Sequence, residues 1–205
     1  MQRARQLMGW LNAPVTLWLV LAWPSFPLVW DLFEDNRYYA EIMHLTGVLS
    51  TQLLVLTLAI TPFTLFAKRW PIGRVVSLWL LKRRRYLGVA AFGYGFLHLI
   101  FYIRETNSLN VIYLEFFDLA FSFGWLGFLF LLPPFLTSNR LSIRQFRDKW
   151  KTLQRLSYIA VIAVFIHWLY FDFFWDEALS WLAVLVAVKV FHVAYRYIFA
   201  SFARI

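Results

Sequence analysis

The chain is 205 residues long, and 61% of its residues are hydrophobic, with a mean hydropathy of +0.62. One soluble core of this size could not cover so much apolar side chain, so a water-soluble globular domain is excluded. The net charge of +9 is distributed as in a membrane protein, so we expect contact with membrane lipid and no nucleic acid. Cysteine is absent, which excludes disulfides, thiolate metal sites and thiol redox chemistry.

Six apolar windows are long enough to cross the hydrocarbon layer, which takes about 20 helical residues. They lie at 10–30, 42–66, 86–103, 116–137, 156–174 and 179–199. The first window contains three prolines and is followed by no small-residue cleavage site, so we interpret it as an anchor rather than a removed signal peptide. The sequence therefore predicts an all-α fold, a single domain over 1–205 that forms an integral membrane bundle of six transmembrane helices.

Lysine and arginine predict the orientation of this bundle. If the amino terminus lies inside, seventeen of the 20 basic residues fall on inner segments. Only Arg37 and Arg104 lie outside, and Lys189 lies within a span. This is the positive-inside pattern, so both termini are predicted to be cytoplasmic, and we expect a multi-pass protein of a bacterial inner membrane.

The connections between the predicted spans are short on the outer side, at 31–41, 104–115 and 172–178, and none could hold a folded module. On the inner side, 67–85 has an apolar middle between basic flanks, which is typical of a short interfacial helix or of a basic topology anchor. No glycine-rich nucleotide loop follows a strand, so a flavin or nicotinamide domain would have to belong to another chain.

Two of the four histidines lie deep within apolar runs. His98 follows Arg85, and His167 follows Gln154, by the same 13 residues. At 1.5 Å per helical residue, both rings lie about 20 Å from the inner surface, at one level in the outer half of the bilayer. Two neutral imidazoles at one level suit axial coordination of haem iron in an electron-transfer centre. Alternatively, each ring hydrogen-bonds a neighbouring helix and only stabilises the bundle.

Other residues of the spans bear on this site. Three glycines precede His98 on its helix, where missing side chains would admit a flat macrocycle or a neighbouring backbone: Gly88, Gly93 and Gly95. His44, near the outer end of the second span, is a candidate third ligand, haem propionate partner or proton-handling group, or an ordinary interfacial histidine. Lys189 and His192 in the sixth span could bind an anionic headgroup or quinone, or only pack.

Three stretches of the chain resemble one known family. The third span, RRRYLGVAAFGYGFLHLIFY, resembles the signature of the ferric reductase-like transmembrane family, in which arginines and a Leu-Gly pair precede a haem histidine. The fifth-span region is similar as well, and reads TSNRLSIRQFRDKWKTLQRLSYIAVIAVFIHWLY. HLTG and ITPF resemble the family's second span. The resemblance covers a core of about 40–170.

The resemblance implies a six-span b-type cytochrome in which His98 and His167 hold haem b. It implies an electron-transfer subunit of an oxidoreductase system rather than a complete enzyme. Such a subunit takes electrons from quinol or a reduced flavin and passes them to a periplasmic or membrane partner protein, so quinone and FMN are further candidate cofactors.

One departure from the family pattern concerns a second haem. A W-x-x-L-H pattern puts another haem histidine at the start of the fifth span, but this chain reads WKTLQ, with Gln154 in that place. Glutamine has no nitrogen lone pair for iron, and the matching positions on the third span are Arg84 and Arg85. We therefore expect one outer haem, with an inner haem through His192 as the variant.

A second class of function stays open. The chain could be an accessory or scaffold subunit of a larger membrane complex that keeps the fold with a reduced or absent redox role. Gln154, the lack of a cofactor domain and 22 phenylalanines that could form a lipid- or protein-binding face favour it. Haem-ligand variants that leave electron flux unchanged would discriminate this role from electron transfer.

Overall fold

A computed structural model of the chain describes residues 14–31, 39–171 and 175–202. Within these ranges the chain is helical and contains no strand. In order, the helices are α1 (Pro14–Ala22), α2 (Ser25–Asp31), α3 (Tyr39–Ala67), α4 (Pro71–Thr106), α5 (Leu109–Glu115), α6 (Leu119–Leu136), α7 (Arg140–Phe146), α8 (Asp148–Phe171) and α9 (Asp176–Phe202). Five of these, α3, α4, α6, α8 and α9, are long and apolar enough to cross a membrane. The predicted all-α membrane fold is confirmed to that extent.

The first predicted span, 10–30, is divided into two short helices. Pro24 lies in the turn between α1 and α2, and proline cannot donate the hydrogen bond that would continue a helix. The Ser25 hydroxyl instead donates to the Ala22 carbonyl across 2.7 Å. Residues 10–13 of the predicted span, and parts of the predicted outer connections 31–41 and 172–178, lie outside the described residues.

Helices α1 and α2 pack along α4. The Trp18 ring meets the Tyr86 ring at a centroid distance of 5.4 Å, and Leu28, ten residues later, belongs to a small buried cluster with Phe101. Between them, the Tyr94 hydroxyl donates to a carbonyl of α1 across 2.8 Å. Later residues of the α1–α2 segment thus contact later residues of α4, so the segment runs in the same direction as α4. It follows that helix for about 20 Å.

Helix α4 includes the basic stretch that the sequence suggested as a separate interfacial helix or a topology anchor. The helix starts with Pro71, whose fixed φ and missing N–H suit a first helical position. No proline follows within the helix, and Lys82 and Arg83 are good helix formers, so it continues without a break to Thr106. The structure therefore has no separate interfacial helix at 67–85; residues 71–85 form the amino-terminal part of α4.

Four of the spans form two antiparallel pairs. In the α3–α4 pair, the Ser50 hydroxyl donates to the Ala91 carbonyl across 2.8 Å. In the α6–α8 pair, the Trp150 indole N–H donates to the Thr137 carbonyl across 2.9 Å. Each pair is joined by such contacts at several levels, which fix the depth of the side chains that it carries.

A stack of phenylalanines joins the two pairs. The Phe92 ring of α4 stacks on Phe135 of α6 with a centroid distance of 4.0 Å and on Phe128 with 5.2 Å. The buried core surrounds this stack, and includes Val55 of α3 and Ala160 of α8, both fully buried. Large apolar side chains also cover the outward faces of the spans, as expected where lipid is the solvent.

The fifth long helix, α9, contacts α3 through a lysine. Pro62 lies inside α3 and lacks the N–H that would bond to the Leu58 carbonyl one turn earlier. The Lys189 ammonium lies 3.4 Å from that carbonyl oxygen and 2.9 Å from the Tyr158 hydroxyl of α8. Lys189 thus supplies a donor to a carbonyl that proline leaves open, and connects three spans.

We expect Lys189→Met to lower the free energy of unfolding by about 0.5–1 kcal/mol, because the Leu58 carbonyl then loses its donor. Pro62→Ala restores an N–H to α3, so in that background Lys189→Met should cost less, with a coupling of about 0.5 kcal/mol or more. Denaturant unfolding of the four proteins in detergent measures this coupling. Val190→Ala, on the exposed face of α9, is the control; an equal cost of Lys189→Met in both backgrounds would contradict the role given to Pro62.

Candidate functional site

His98 is held by a backbone carbonyl of the neighbouring helix. It lies on α4, and its Nδ1 is 2.7 Å from the carbonyl oxygen of Met43 on α3. A carbonyl oxygen can only accept a hydrogen bond, so Nδ1 carries the proton and donates it. In a neutral ring the other nitrogen, Nε2, is then left with a free lone pair.

His167 is held in the same way by the second helix pair. It lies on α8, and its Nδ1 is 2.8 Å from the carbonyl oxygen of Ala120 on α6. Here too Nδ1 donates, and Nε2 keeps a lone pair. In the part of the chain that the structure describes, no hydrogen bond reaches Nε2 of either ring. Both histidines therefore present a nitrogen that is available to a metal ion.

The two rings lie close together. Their centroids are 6.0 Å apart, and their planes are inclined at 88°. Bonds from imidazole nitrogens to a first-row metal ion are about 2 Å long, and the ring centre lies about 1 Å further back, so two rings on opposite sides of one ion have centres about 6 Å apart. The observed separation of 6.0 Å equals the value expected for two imidazoles on opposite sides of one metal ion.

A cavity of about 350 Å³ surrounds the two rings, within the range of small-molecule and cofactor sites. Four helices line it, α3, α4, α6 and α8, mostly with apolar and aromatic side chains. Trp168 of α8 is among the lining residues and is only 7% exposed, yet within the described part of the chain its indole N–H has no hydrogen-bond partner. A buried donor without an acceptor costs about 1–3 kcal/mol, so an acceptor group within the cavity would stabilise this wall.

The rim of the cavity near the carboxyl end of α4 is polar. Tyr102 lines the cavity one turn before the end of α4, and its hydroxyl donates to the Glu115 carboxylate across 2.6 Å. His44 also lines the cavity, from the amino-terminal end of α3, and its side chain is exposed. These groups, together with Glu115, distinguish the rim from the apolar interior.

The three glycines that precede His98 have different surroundings. Gly95 lines the cavity. Gly88 instead faces Thr57 of α3, at 3.5 Å from the place of a Cβ atom, and Gly93 has nothing within 4 Å of that place. At Gly95 the place of a Cβ atom lies 3.1 Å from the Ser50 hydroxyl oxygen of α3, so Gly95, like Gly88, allows α3 and α4 to pack closely.

The level of Gln154 and Arg84, which we call the inner level, is occupied by hydrogen bonds between protein groups. The Gln154 amide donates to the Pro134 carbonyl across 3.1 Å and to the Thr137 hydroxyl across 3.0 Å. On the other pair, the Arg84 guanidinium donates to the Thr61 hydroxyl across 2.9 Å. Among the described residues of α3, α4, α6 and α8, no histidine lies at this level.

Lys189 and His192 do not form one polar site in the structure. The Lys189 ammonium is engaged with the Leu58 carbonyl and with Tyr158, and it lies 4.3 Å from the centre of the Tyr158 ring. The Nδ1 atom of His192 is buried and has no hydrogen-bond partner among the described residues. The sequence-based interpretation of this pair as an anion or quinone site gains no support from these contacts.

Several residues of the cavity were not anticipated from the sequence. Nothing in the sequence distinguishes Trp168 and Tyr102 from the many other aromatic residues of the spans. Gly47 and Gly124 lie on α3 and α6, which face the helices that carry His98 and His167. Each glycine lies four residues after the residue whose carbonyl accepts from a histidine, Met43 or Ala120. This spacing can be interpreted only when the helix pairs are known.

Comparisons with known proteins agree with the resemblance noted above. The family described as "Ferric reductase like transmembrane component" matches residues 46–165. Among curated proteins, those named "Protein-methionine-sulfoxide reductase heme-binding subunit MsrQ" from Brucella ovis and Brucella canis are each 29% identical to this chain, over 89% of it and 83% of the relative. No solved structure matches. The chain belongs to the ferric reductase-like transmembrane component family.

Proposed function

We propose that this protein is a haem-bearing membrane subunit that transfers electrons, with His98 and His167 as the two axial ligands of one haem b. The observation that carries the proposal is the pair of imidazole rings, 6.0 Å apart, each with Nδ1 hydrogen-bonded to a backbone carbonyl. Structural histidines that only join helices need not leave two free Nε2 atoms at one level between two helix pairs.

The chemistry of the cavity fits this cofactor. Its apolar and aromatic walls suit a flat macrocycle, and the Trp168 N–H, which has no hydrogen-bond partner among the described residues, offers a donor to an acceptor group of the ligand. His44, on the polar outer rim, is proposed to contact the cofactor there rather than to ligate iron. The name of the Brucella relatives, which states that they bind haem, agrees with this assignment.

When bound, haem iron with nitrogen ligands on both faces cycles between its ferric and ferrous forms and has no open position for oxygen. The part of the protein in this process is to fix the two rings, to orient them through Met43 and Ala120, and to exclude water with aromatic walls. These tasks require little movement, which suits a bundle made of two rigid helix pairs.

We propose a single haem because the inner level has no imidazole pair. Gln154 donates to Pro134 and Thr137, and Arg84 donates to Thr61, so the side chains at the places of the ligands to a second haem are engaged with protein groups. With one centre, electrons reach it from quinol in the membrane or from a reduced flavin donor.

The acceptor is proposed to be a partner protein on the outer side. The cavity extends to Tyr102, close to the outer end of α4, and Phe171 and Phe121 continue the aromatic contact from His167 towards this rim. The relatives are named as subunits of a methionine sulfoxide reductase, and such an enzyme is the partner we propose.

We further propose six spans in one domain, with both termini on the cytoplasmic side of a bacterial inner membrane. The α1–α2 segment follows α4 in the same direction past three contact points, including the Tyr94 hydrogen bond, so it would form a first span that is broken at Pro24. The excess of arginine and lysine on inner segments supports this orientation.

The haem assignment is tested by spectroscopy of the purified chain. We expect a protohaem spectrum in alkaline pyridine, and we expect His98→Ala and His167→Ala each to lose the low-spin Soret and α bands, because one axial ligand is missing. His192→Ala, outside the cavity, is the matched control and should keep the spectrum. A colourless wild-type protein that elutes as a single folded species would contradict the assignment.

The same variants separate electron transfer from the scaffold role. If the chain is an electron-transfer subunit, electron flux to the outer partner should fall to background in His98→Ala and His167→Ala, because the only centre is lost. Unchanged flux, with stable co-purification of a larger complex, would favour the scaffold role, for which Gln154 in the place of a haem histidine is one motivation.

The haem count is tested by stoichiometry. We expect one haem per chain from the pyridine spectrum and quantitative amino-acid analysis. Gln154→His should leave this ratio at one, because Arg84 on the facing helix pair cannot supply the opposite ligand. Two haems per wild-type chain would overturn the reading of the inner level.

The topology is testable because the chain lacks cysteine, so each introduced cysteine is the only one present. We expect Asn110→Cys, on the exposed surface of α5, to react with a membrane-impermeant maleimide in intact spheroplasts. Arg144→Cys, on the exposed surface of α7, should react only after the membrane is opened. The reverse pattern would reject the proposed orientation.

A further inference from the structure

Each histidine of the cavity lies against a glycine of the facing helix. A Cβ atom added to Gly47 of α3 would lie 2.9 Å from Nδ1 of His98. A Cβ atom added to Gly124 of α6 would lie 2.8 Å from both Nδ1 and Cε1 of His167. Real Cβ atoms essentially never come so close to another heavy atom, so any side chain at either position would displace the ring.

The two glycines have the same relation to the hydrogen bonds of the rings. Gly47 is four residues after Met43, whose carbonyl accepts from His98, and Gly124 is four residues after Ala120, whose carbonyl accepts from His167. In a helix the Cα–Cβ bond tilts towards the amino terminus, so the side chain at position i+4 covers the carbonyl of residue i. We call each carbonyl with its glycine a carbonyl–glycine pair.

We infer that the two carbonyl–glycine pairs, Met43 with Gly47 and Ala120 with Gly124, are positioning devices that fix the tautomer and the orientation of the two histidines. The glycine uncovers a helical carbonyl, the imidazole approaches it, and Nδ1–H donates to it. The Nε2 lone pair is then directed away from the helix, and the hydrogen bond raises its basicity as a ligand. The cofactor part of this inference rests on the proposed function.

The same device on both sides explains how the ring planes are set. Each ring is fixed by one carbonyl, and the two carbonyls belong to different helix pairs. Neither ring can therefore rotate freely. The observed inclination of 88° between the rings is a consequence of these two anchors. In a bis-imidazole haem, perpendicular rings give a strongly anisotropic low-spin electron paramagnetic resonance signal.

Backbone strain does not explain the glycines. No glycine within 14–31, 39–171 and 175–202 has a positive φ, so alanine could adopt the local backbone at Gly47 and Gly124. Alanine is also the better helix former, so any loss in a Gly→Ala variant comes from the contact with the ring rather than from helix propensity. Gly93 of α4, which has open space at its Cβ position, offers a matched control.

The first experiment compares Gly47→Ala, Gly124→Ala and Gly93→Ala in the haem-loaded full chain. We expect the first two to bind haem 10–100-fold more weakly and to show part of the haem as a five-coordinate high-spin form, because the ring can no longer keep both its carbonyl and its place at the iron. Gly93→Ala should match the wild type. Wild-type affinity and spectra in both cavity variants would overturn the inference.

The second experiment needs neither a glycine variant nor haem. The full chain, purified free of haem and labelled with ¹⁵N-histidine, is studied by solid-state nuclear magnetic resonance, with His44→Gln and His192→Gln used to assign the signals. We expect His98 and His167 each to show a protonated Nδ1 and an unprotonated Nε2. Protonation at Nε2 in both rings would overturn the inference whether or not the variants fold.

The two experiments keep this inference separate from the haem proposal. A chain with the expected tautomers that binds no haem would leave the carbonyl–glycine pairs standing and reject the proposed function. A chain that binds haem through both histidines, but is indifferent to alanine at Gly47 and Gly124, would keep the function and reject the positioning role.

Discussion

Two hydrogen bonds between histidine rings and the backbone of neighbouring helices organise the centre of this bundle. In lipid, a backbone carbonyl normally bonds within its own helix, and an imidazole within a span has few partners. Nδ1 of His98 donates to the Met43 carbonyl, and Nδ1 of His167 donates to the Ala120 carbonyl. Among the described residues, no hydrogen bond reaches Nε2 of either ring. A ring held in this way has a fixed tautomer and a fixed direction, which are the two properties that a metal-ligating histidine needs.

The helix pairs carry the two histidine–carbonyl hydrogen bonds at one level and a different set of hydrogen bonds at the inner level. On α8, Gln154 precedes His167 by 13 residues, and it also donates to a carbonyl of α6, that of Pro134. The inner level therefore repeats the contact between side chain and carbonyl, but with an amide that cannot ligate iron. Arg84 and Thr61 close the corresponding place on the other pair. The helix pairs thus carry two histidines beside a cavity at one level and hydrogen bonds between protein groups at the other.

The sequence was sufficient for the class of fold and for the candidate ligands. Apolar windows and basic flanks predict membrane helices, and equal spacing from Arg85 and Gln154 predicts that His98 and His167 lie at one level. It could not divide the first window at Pro24, because the effect of a proline on a helix depends on the contacts that surround it.

Facing contacts between helices were beyond the reach of the sequence. Three features depend on which helices are neighbours. They are the continuity of α4 through its basic stretch, the contact of Lys189 with the Leu58 carbonyl, and the contact of Gly47 with His98. Periodicity and charge do not encode that choice in a single chain where every face of a span is apolar. The sequence alone therefore indicated the glycines on the helix of His98. The glycines that contact the two rings lie on the facing helices, α3 and α6.

The ligation of iron by His98 and His167 is tested most directly by near-infrared magnetic circular dichroism of the purified ferric protein, since the energy of the ligand-to-metal charge-transfer band identifies the pair of axial ligands. Two neutral imidazoles should give one low-spin bis-histidine band that accounts for all of the haem. A high-spin spectrum, or a band of histidine paired with a different ligand, would contradict the arrangement of the two rings around one iron.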